Sequence, residues 1–183
     1  MDNTQKNHLK SYGIAYWVLE KNLQIEWLLN YKGGSFSMPF SERVEKECII
    51  RGVSYNIVSE SDYSKIVQDI SRNDVNQDII KLEVAPKIAI YSPKTKLPWD
   101  DAVTMVLTYA EIPYDVIYDD EILTDKLPKY NWLHLHHEDF TGQYGKFYAA
   151  YHNHEWYKKD KAAMEAIARK YKFDKVSKMK LEV

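Results

Sequence analysis

The segment NWLHLHHEDFTGQYGKF, residues 131–147, concentrates the chemically reactive side chains of this chain. Its first part has the apolar character of a strand, and the strand pattern ends in histidines and carboxylates. Such side chains can exchange protons near neutral pH, orient a substrate or bind a metal. The candidate catalytic residues at this strand end are His136, His137, Glu138 and Asp139.

The same cluster contains two weak candidates for metal ligands, His134 and His136. Alternate residues of a strand share a face, so both imidazoles could reach one ion, with Glu138 or Asp139 completing the site. No CxxC or HExxH spacing accompanies them, and we therefore assign no metal and no other cofactor. For each histidine the structural alternative is a hydrogen-bonded residue at a strand end.

Ligands of open α/β sheets bind beyond the carboxyl ends of the strands. Two predicted loops, residues 92–101 and 136–146, occupy such positions, and the glycines of the second would let the backbone approach a ligand closely. A third loop, YKGGSF at residues 31–36, would join them if its strand were parallel to the other two. The candidate substrate-binding residues are Lys94, Trp99, Asp100, Gly142, Gln143, Tyr144 and Gly145.

The second half of the chain, residues 85–183, has the element pattern of a parallel α/β sheet. Strands are predicted at residues 87–91, 115–119 and 130–136, with a helix from Ala102 to Glu111 capped by Asp100. Two further helices, residues 158–172 and 176–183, follow. This alternation favours a Rossmann- or flavodoxin-like fold with three layers.

The first half, residues 1–84, is expected to form another α/β unit, either in the same domain or in a separate one. Helices are predicted at residues 9–19, 42–51 and 61–70, and strands at residues 23–29 and 53–58. A helix followed by an alternating strand occurs in both halves, but the first copy lacks the opening strand. The last helix, in turn, has no stop signal. The sheet is therefore expected to be incomplete at both ends, and disordered tails are the alternative.

Composition excludes some classes of function. The net charge is −2, which gives no footprint for nucleic acid, and no apolar run reaches the length of a transmembrane helix. The single cysteine, Cys48, is expected to be a small buried residue, and the acidic stretch from Glu111 to Asp125 a solvated surface. The sequence as it stands predicts a cytoplasmic protein, whereas a truncated start would imply export.

Three segments together resemble a family of bacterial proteins labelled "asparagine synthetase B" in genomes. They are HLKSYGIAYWVLEKNLQIEWLLNYKGGSF, KIAIYSPKTKLPWDDAVTMVLTYAEIPYDVIYDDEIL and NWLHLHHEDFTGQYGKFYAAY, and HLHHEDFTGQYGKF is the most specific part. The resemblance implies a fold related to the class I glutamine amidotransferases. It also implies that this chain is an N-terminal fragment of a longer, exported protein.

The chain departs from what a glutamine-dependent asparagine synthetase requires. Such an enzyme needs an N-terminal cysteine nucleophile and an SGGxDS-type ATP loop, whereas this chain begins Met1-Asp2 and Cys48 is internal. The leading hypothesis is therefore an amidotransferase-like protein with a polar, hydrolytic site that takes a small molecule. Its rivals are a partner-binding scaffold that uses the basic C-terminal helix and a non-catalytic module for carbohydrate or peptide. The module would use the aromatic residues Tyr144, Phe147, Tyr148, Tyr151, Trp156 and Tyr157.

Overall fold

The computed structural model describes residues 3–72, 74–92, 101–135 and 150–183. The chain divides into two compact units. Unit 1 consists of Met1–Ala85 with Val106–Pro113, and unit 2 of Pro86–Met105 with Tyr114–Val183. Among the helices of the described ranges, none is long and apolar enough to cross a membrane.

Unit 1 opens with helix α1, His8–Glu20, which the Asn7 side chain caps by accepting a hydrogen bond from the Lys10 N–H. Its apolar face packs into a core with helix α2, Glu42–Arg51, which ends at Gly52 in the left-handed conformation. Helix α3, Glu60–Ile70, follows. The core consists of Ile14, Ala15, Val18, Leu19, Ile25, Val44, Cys48 and Val53.

The sheet of unit 1 is antiparallel, which corrects the expectation that its first strand runs parallel to the strands of the second half. Strand β1, Ile25–Leu29, lies between β2, Ser35–Ser37, and β3, Asp78–Leu82. The YKGGSF segment is consequently the tight connection of a hairpin and forms a short 3-10 helix at Tyr31–Gly33. Both glycines have positive φ there, so the turn accounts for them without a ligand.

The strand expected at residues 53–58 is absent, and this prediction is wrong. The segment links α2 to α3 without regular secondary structure. Instead of a neighbouring strand, the side-chain amide of Gln5 supplies its backbone partners. The Ser54 N–H donates to Gln5 Oε1 at 3.1 Å, and Gln5 Nε2 donates to the Ser54 carbonyl at 3.0 Å.

Unit 2 contains the parallel three-stranded sheet that the sequence predicts. Its strands are β4, Ile88–Tyr91, β5, Asp115–Ile117, and β6, Trp132–Leu135, in the order β5-β4-β6. The short strand β4 is the central strand and is buried at every position. The α/β class and the parallel arrangement of these three strands are thus confirmed.

Four helices accompany these strands in the described residues, and the second half of the first of them belongs to unit 1. Helix α4, Ala102–Ala110, lies between β4 and β5 in sequence, and helix α5, Asp119–Ile122, follows β5. A 3-10 turn at Leu127–Lys129 leads into β6. The remaining two helices are α6, Glu155–Lys170, and α7, Val176–Glu182.

Gly13 in α1 lies so close to the backbone of Ala110 that one added methyl group should have a large cost. A Cβ atom at Gly13 in α1 would lie 1.8 Å from the Ala110 carbonyl oxygen. We expect Gly13→Ala to lower the free energy of unfolding by about 3 kcal/mol, because the backbone itself must move. Urea unfolding followed by tryptophan fluorescence measures this loss.

Gly52→Ala is the matched control for the Gly13 variant. Gly52 ends α2 in the left-handed conformation, at φ +68°, but a Cβ added there would meet nothing within 4 Å. Only the left-handed conformation then carries a cost, of about 1 kcal/mol. A Gly13 variant that is no less stable than the Gly52 variant would contradict the close packing.

Candidate functional site

Most of the site residues expected from the sequence lie outside the described residues. His134 is the exception, because it belongs to β6. The other candidates fall within residues 93–100 and 136–149, outside the described ranges. They are Lys94, Trp99, Asp100, His136, His137, Glu138, Asp139, Gly142, Gln143, Tyr144 and Gly145.

The strand register brings three chain segments to one edge of the parallel sheet. Tyr91, the last residue of β4, pairs with Ile117 at the end of β5 and with Leu135 at the end of β6. The carboxyl ends of all three strands are therefore level. The last residues of β4 and β6, Tyr91 and Leu135, are therefore neighbours on this edge.

A carboxylate and an imidazole meet at this edge. Asp101 Oδ2 lies 3.1 Å from His134 Nε2, which joins the start of α4 to the end of β6. The Asp101 residue is 8% exposed, and the His134 side chain is partly buried. This pair is the described part of the candidate site.

Asp101 is held in place by the helix that it begins. Its Oδ1 accepts hydrogen bonds from the N–H groups of Val103 at 2.6 Å and Thr104 at 3.2 Å, so Asp101 is the N-cap of α4. The Thr104 hydroxyl donates to the Asp101 carbonyl at 2.8 Å. The expectation that Asp100 caps this helix is therefore wrong by one residue.

The hydrogen bonds around Asp101 determine its charge. Burial on its own raises the pKa of the Asp101 carboxyl, but the hydrogen bond to His134 and those from the Thr104 and Val103 N–H groups outweigh it. The net result is a pKa below the ordinary value, which keeps the carboxylate ionised at neutral pH.

The ionised carboxylate selects one tautomer of neutral His134. A carboxylate accepts hydrogen bonds, so the proton of the imidazole is on Nε2 and Nδ1 is left as the basic atom. A histidine oriented by a carboxylate in this way can act as a general base or can bind a ligand proton. The pair thus has the composition of an acid–base dyad.

Cys48 does not supply a nucleophile to this edge. It is buried in the core of unit 1, as its sequence context predicts. Burial is the main cause that raises the pKa of the Cys48 thiol, with Arg51 opposing and nearby glutamates adding to the effect. A buried neutral thiol is inert, and Cys48 therefore has a packing role.

No group of three or more His, Cys, Asp or Glu residues that could hold a metal ion occurs in the described ranges. Of the two weak candidates, His134 is engaged by Asp101, whereas His136 lies outside the described residues. The assignment of no cofactor stays a prediction.

One residue of the acidic stretch contradicts the expectation of a solvated surface. Asp119, the first residue of α5, is 0% exposed. It contacts Lys180 at 2.7 Å, a partner 61 positions away in sequence. No local pattern in the sequence signals this pairing, and none signals the contact of Asp101 with His134.

Comparison with known proteins gave no match: no family model, no curated protein and no solved structure is significantly similar to this chain.

The two functions of Asp101, helix cap and partner of His134, can be separated by substitution. Asp101→Ala removes both, and we expect it to lower the free energy of unfolding by about 1–2 kcal/mol. Asp101→Asn keeps an N-cap acceptor but removes the charge. The loss of stability that Asp101→Asn causes should be present at pH 7 and should decline as the pH falls below about 4. The reason is that the pKa of the Asp101 carboxyl is lower in the folded state than in the unfolded state.

Urea unfolding midpoints measured between pH 7 and pH 3 test this dependence. The exposed Asp69 of α3 provides the control. At each pH, Asp69→Asn should have the same unfolding midpoint as the wild type. If Asp101→Asn destabilises the protein by the same amount at every pH, the charge of Asp101 contributes nothing to stability.

Proposed function

We propose that unit 2 is a Rossmann- or flavodoxin-like module that binds a small polar ligand beyond the carboxyl ends of β4 and β6. The order β5-β4-β6 places the first strand of the unit between the second and the third. In open parallel sheets of this order, the chain turns to opposite sides after the first and third strands, and the crevice between their ends receives the ligand.

The Asp101–His134 pair is the observation that carries this proposal. Asp101 follows β4 and His134 belongs to β6, so the pair bridges the two strands between which the crevice would lie. A pair placed at random on the surface would have no reason to be oriented by a helix N-terminus. Its position matches the place where such folds bind ligands.

In the proposed site His134 would accept a proton from water or from the ligand through Nδ1, and Asp101 would orient the ring. The candidate residues of the two flanking segments, Lys94, Trp99, Asp100, His136–Asp139 and Gly142–Gly145, would provide the other contacts. The resemblance to an amidotransferase-like family makes hydrolysis of an amide the reaction to test first. Glutamine and asparagine are then the first substrates to offer.

The test uses the full chain, with ammonia release from glutamine and asparagine and thermal shifts as readouts. We expect binding of at least one amide, and a loss of tenfold or more in affinity or rate for His134→Ala. His8→Ala is the control, because His8 is an exposed histidine of unit 1. If neither amide binds, or if both variants behave alike, the proposal is wrong.

A second candidate is recognition of a carbohydrate, for which one group of aromatic residues provides an observation. The Tyr151 ring lies 5.8 Å from Trp156, and Trp156 lies 6.0 Å from Tyr157. Trp156 keeps 39% exposure, and exposed aromatic faces stack on sugars. Saccharides in the same panel, with Trp156→Ala in place of the histidine variant, distinguish this function from amide binding.

The scaffold function finds less support in the contacts of the C-terminal helices. Several of the basic side chains there already have acidic neighbours within this chain. Paired lysines offer a weaker electrostatic attraction to an acidic partner than free ones. The paired residues are Lys158, Arg169, Lys170, Lys178 and Lys180.

A further inference from the structure

The side chain of Lys180 enters a polar pocket at the carboxyl ends of β4 and β5. Its ammonium nitrogen lies 2.7 Å from Asp119 Oδ1, 2.8 Å from the Tyr91 hydroxyl and 3.4 Å from the Tyr118 hydroxyl. An ammonium group has three N–H donors, and this pocket offers it three oxygen acceptors. The number of acceptors therefore matches a primary ammonium.

Two aromatic rings form the walls of the same pocket. Lys180 Nζ lies 4.6 Å from the centre of the Tyr118 ring and 5.4 Å from that of Tyr91. The two rings are 5.1 Å apart, so one cation interacts with both. Aromatic faces attract cations, and this attraction grows as water is removed. The walls add selectivity for a positive charge to the hydrogen bonds.

Asp119 is buried more completely than its partner. The residue is 0% exposed, whereas the Lys180 side chain keeps 32%. The Tyr91 hydroxyl donates to Oδ1 at 2.6 Å, so Oδ1 has two donors. Oδ2 is buried and has no hydrogen-bond partner in the described part of the chain. A buried carboxylate oxygen without a donor costs free energy, which Lys180 does not recover.

We propose that this pocket, formed by Asp119, Tyr91 and Tyr118, is a binding site for a small primary amine and that Lys180 fills it in place of the ligand. Lys180 is fixed to α7 and reaches only one carboxylate oxygen. An amine that carries a further N–H or O–H group could donate to Oδ2 as well. Asp119 has no exposed surface while Lys180 is in place. The ligand can therefore reach Asp119 only when α7 moves away.

This inference goes beyond the proposed function and does not depend on it. The two sites share the end of β4 but no side chain: the ammonium pocket uses Tyr91, Tyr118, Asp119 and Lys180, whereas the described part of the amide site is Asp101 and His134. Failure of the amide tests would leave the ammonium pocket unaffected. Conversely, failure of the amine tests would not bear on His134.

Chemical rescue of Lys180→Ala tests the pocket directly. The substitution deletes three carbons and the ammonium, and n-propylammonium has the same atoms. Propylammonium that binds only the folded state stabilises it by linkage. At a concentration about ten times its Kd, the ratio of folded to unfolded protein should rise about elevenfold. Urea unfolding of the full chain in propylammonium chloride measures the rise.

Matched variants separate this pocket from a general salt effect. Lys170 also pairs with an aspartate, Asp120 at 2.8 Å, and lies over the Tyr171 ring, but it is on the surface. Lys170→Ala should therefore gain no more from propylammonium than from sodium chloride. Wild type should behave likewise, because Lys180 is tethered to the site at a high effective concentration. The double variant Lys180→Ala, Asp119→Asn should lose the response.

The inference is overturned if propylammonium stabilises Lys180→Ala no more than sodium chloride does. The same holds if the double variant responds equally. If Lys180→Ala is unfolded in plain buffer, the propylammonium titration measures folding induced by the ammonium. If no folding is induced, the proposal is overturned. Nα-acetyl-lysine N-methylamide, tested in parallel, separates the sources of the ammonium. Tighter binding of this derivative would contradict a small amine and indicate a lysine of another polypeptide.

Discussion

The polar chemistry of unit 2 depends on the burial of one four-residue strand. Strand β4 is buried at every position and pairs with β5 on one side and with β6 on the other. Parallel strands with both faces covered have a fixed register, since a shift of one residue would turn every side chain to the opposite face. That register brings the ends of all three strands to one level, where Tyr91 is the central residue.

Two aspartates lie beyond the carboxyl ends of these strands, Asp101 after β4 and Asp119 after β5. Each is stabilised in a different way. Asp101 sits at a helix N-terminus, where backbone N–H groups and His134 donate to it. Asp119 is buried further and relies on the Tyr91 hydroxyl and the Lys180 ammonium. A buried carboxylate needs donors for both oxygens, and the Asp101 arrangement meets this need better. Among the described residues Asp119 Oδ2 has no hydrogen-bond donor, which is the reason to regard its pocket as a place for a ligand.

Local signals in the sequence predict the elements better than their partners. Helix α2 has its predicted bounds, because Ser41, the glutamates of its first turn and Gly52 mark both ends. KIAIY is a buried parallel strand, as its β-branched residues indicate. Local pattern does not reveal which strand pairs with which. For that reason the sequence pattern predicts β1 in a parallel sheet and a strand at residues 53–58, and both predictions are wrong.

The site shows the same limit at the level of side chains. The histidine cluster in the sequence makes His134 a candidate, but no local signal identifies Asp101 as its partner. Asp100 and Asp101 are equally suitable helix caps by residue type, so the sequence does not decide which of them caps α4. Tyr91, Asp119 and Lys180 are far apart in sequence, and only folding brings them together. A residue such as Asp119, in an acidic stretch, gives no sign of burial until its distant partner is known.

The ion pair of Lys180 also explains how so short a helix is ordered. Helix α7 has seven residues, and helices of this length are not stable in water on their own. Its order must come from contacts outside the helix. Two neighbouring side chains contribute such contacts: Met179 is completely buried, and Lys180 binds Asp119. Because the polar half of this attachment is an ammonium group in a pocket, a competing ammonium would weaken the docking of α7 as it binds. Occupancy of the pocket and order of the helix are therefore coupled through one charge.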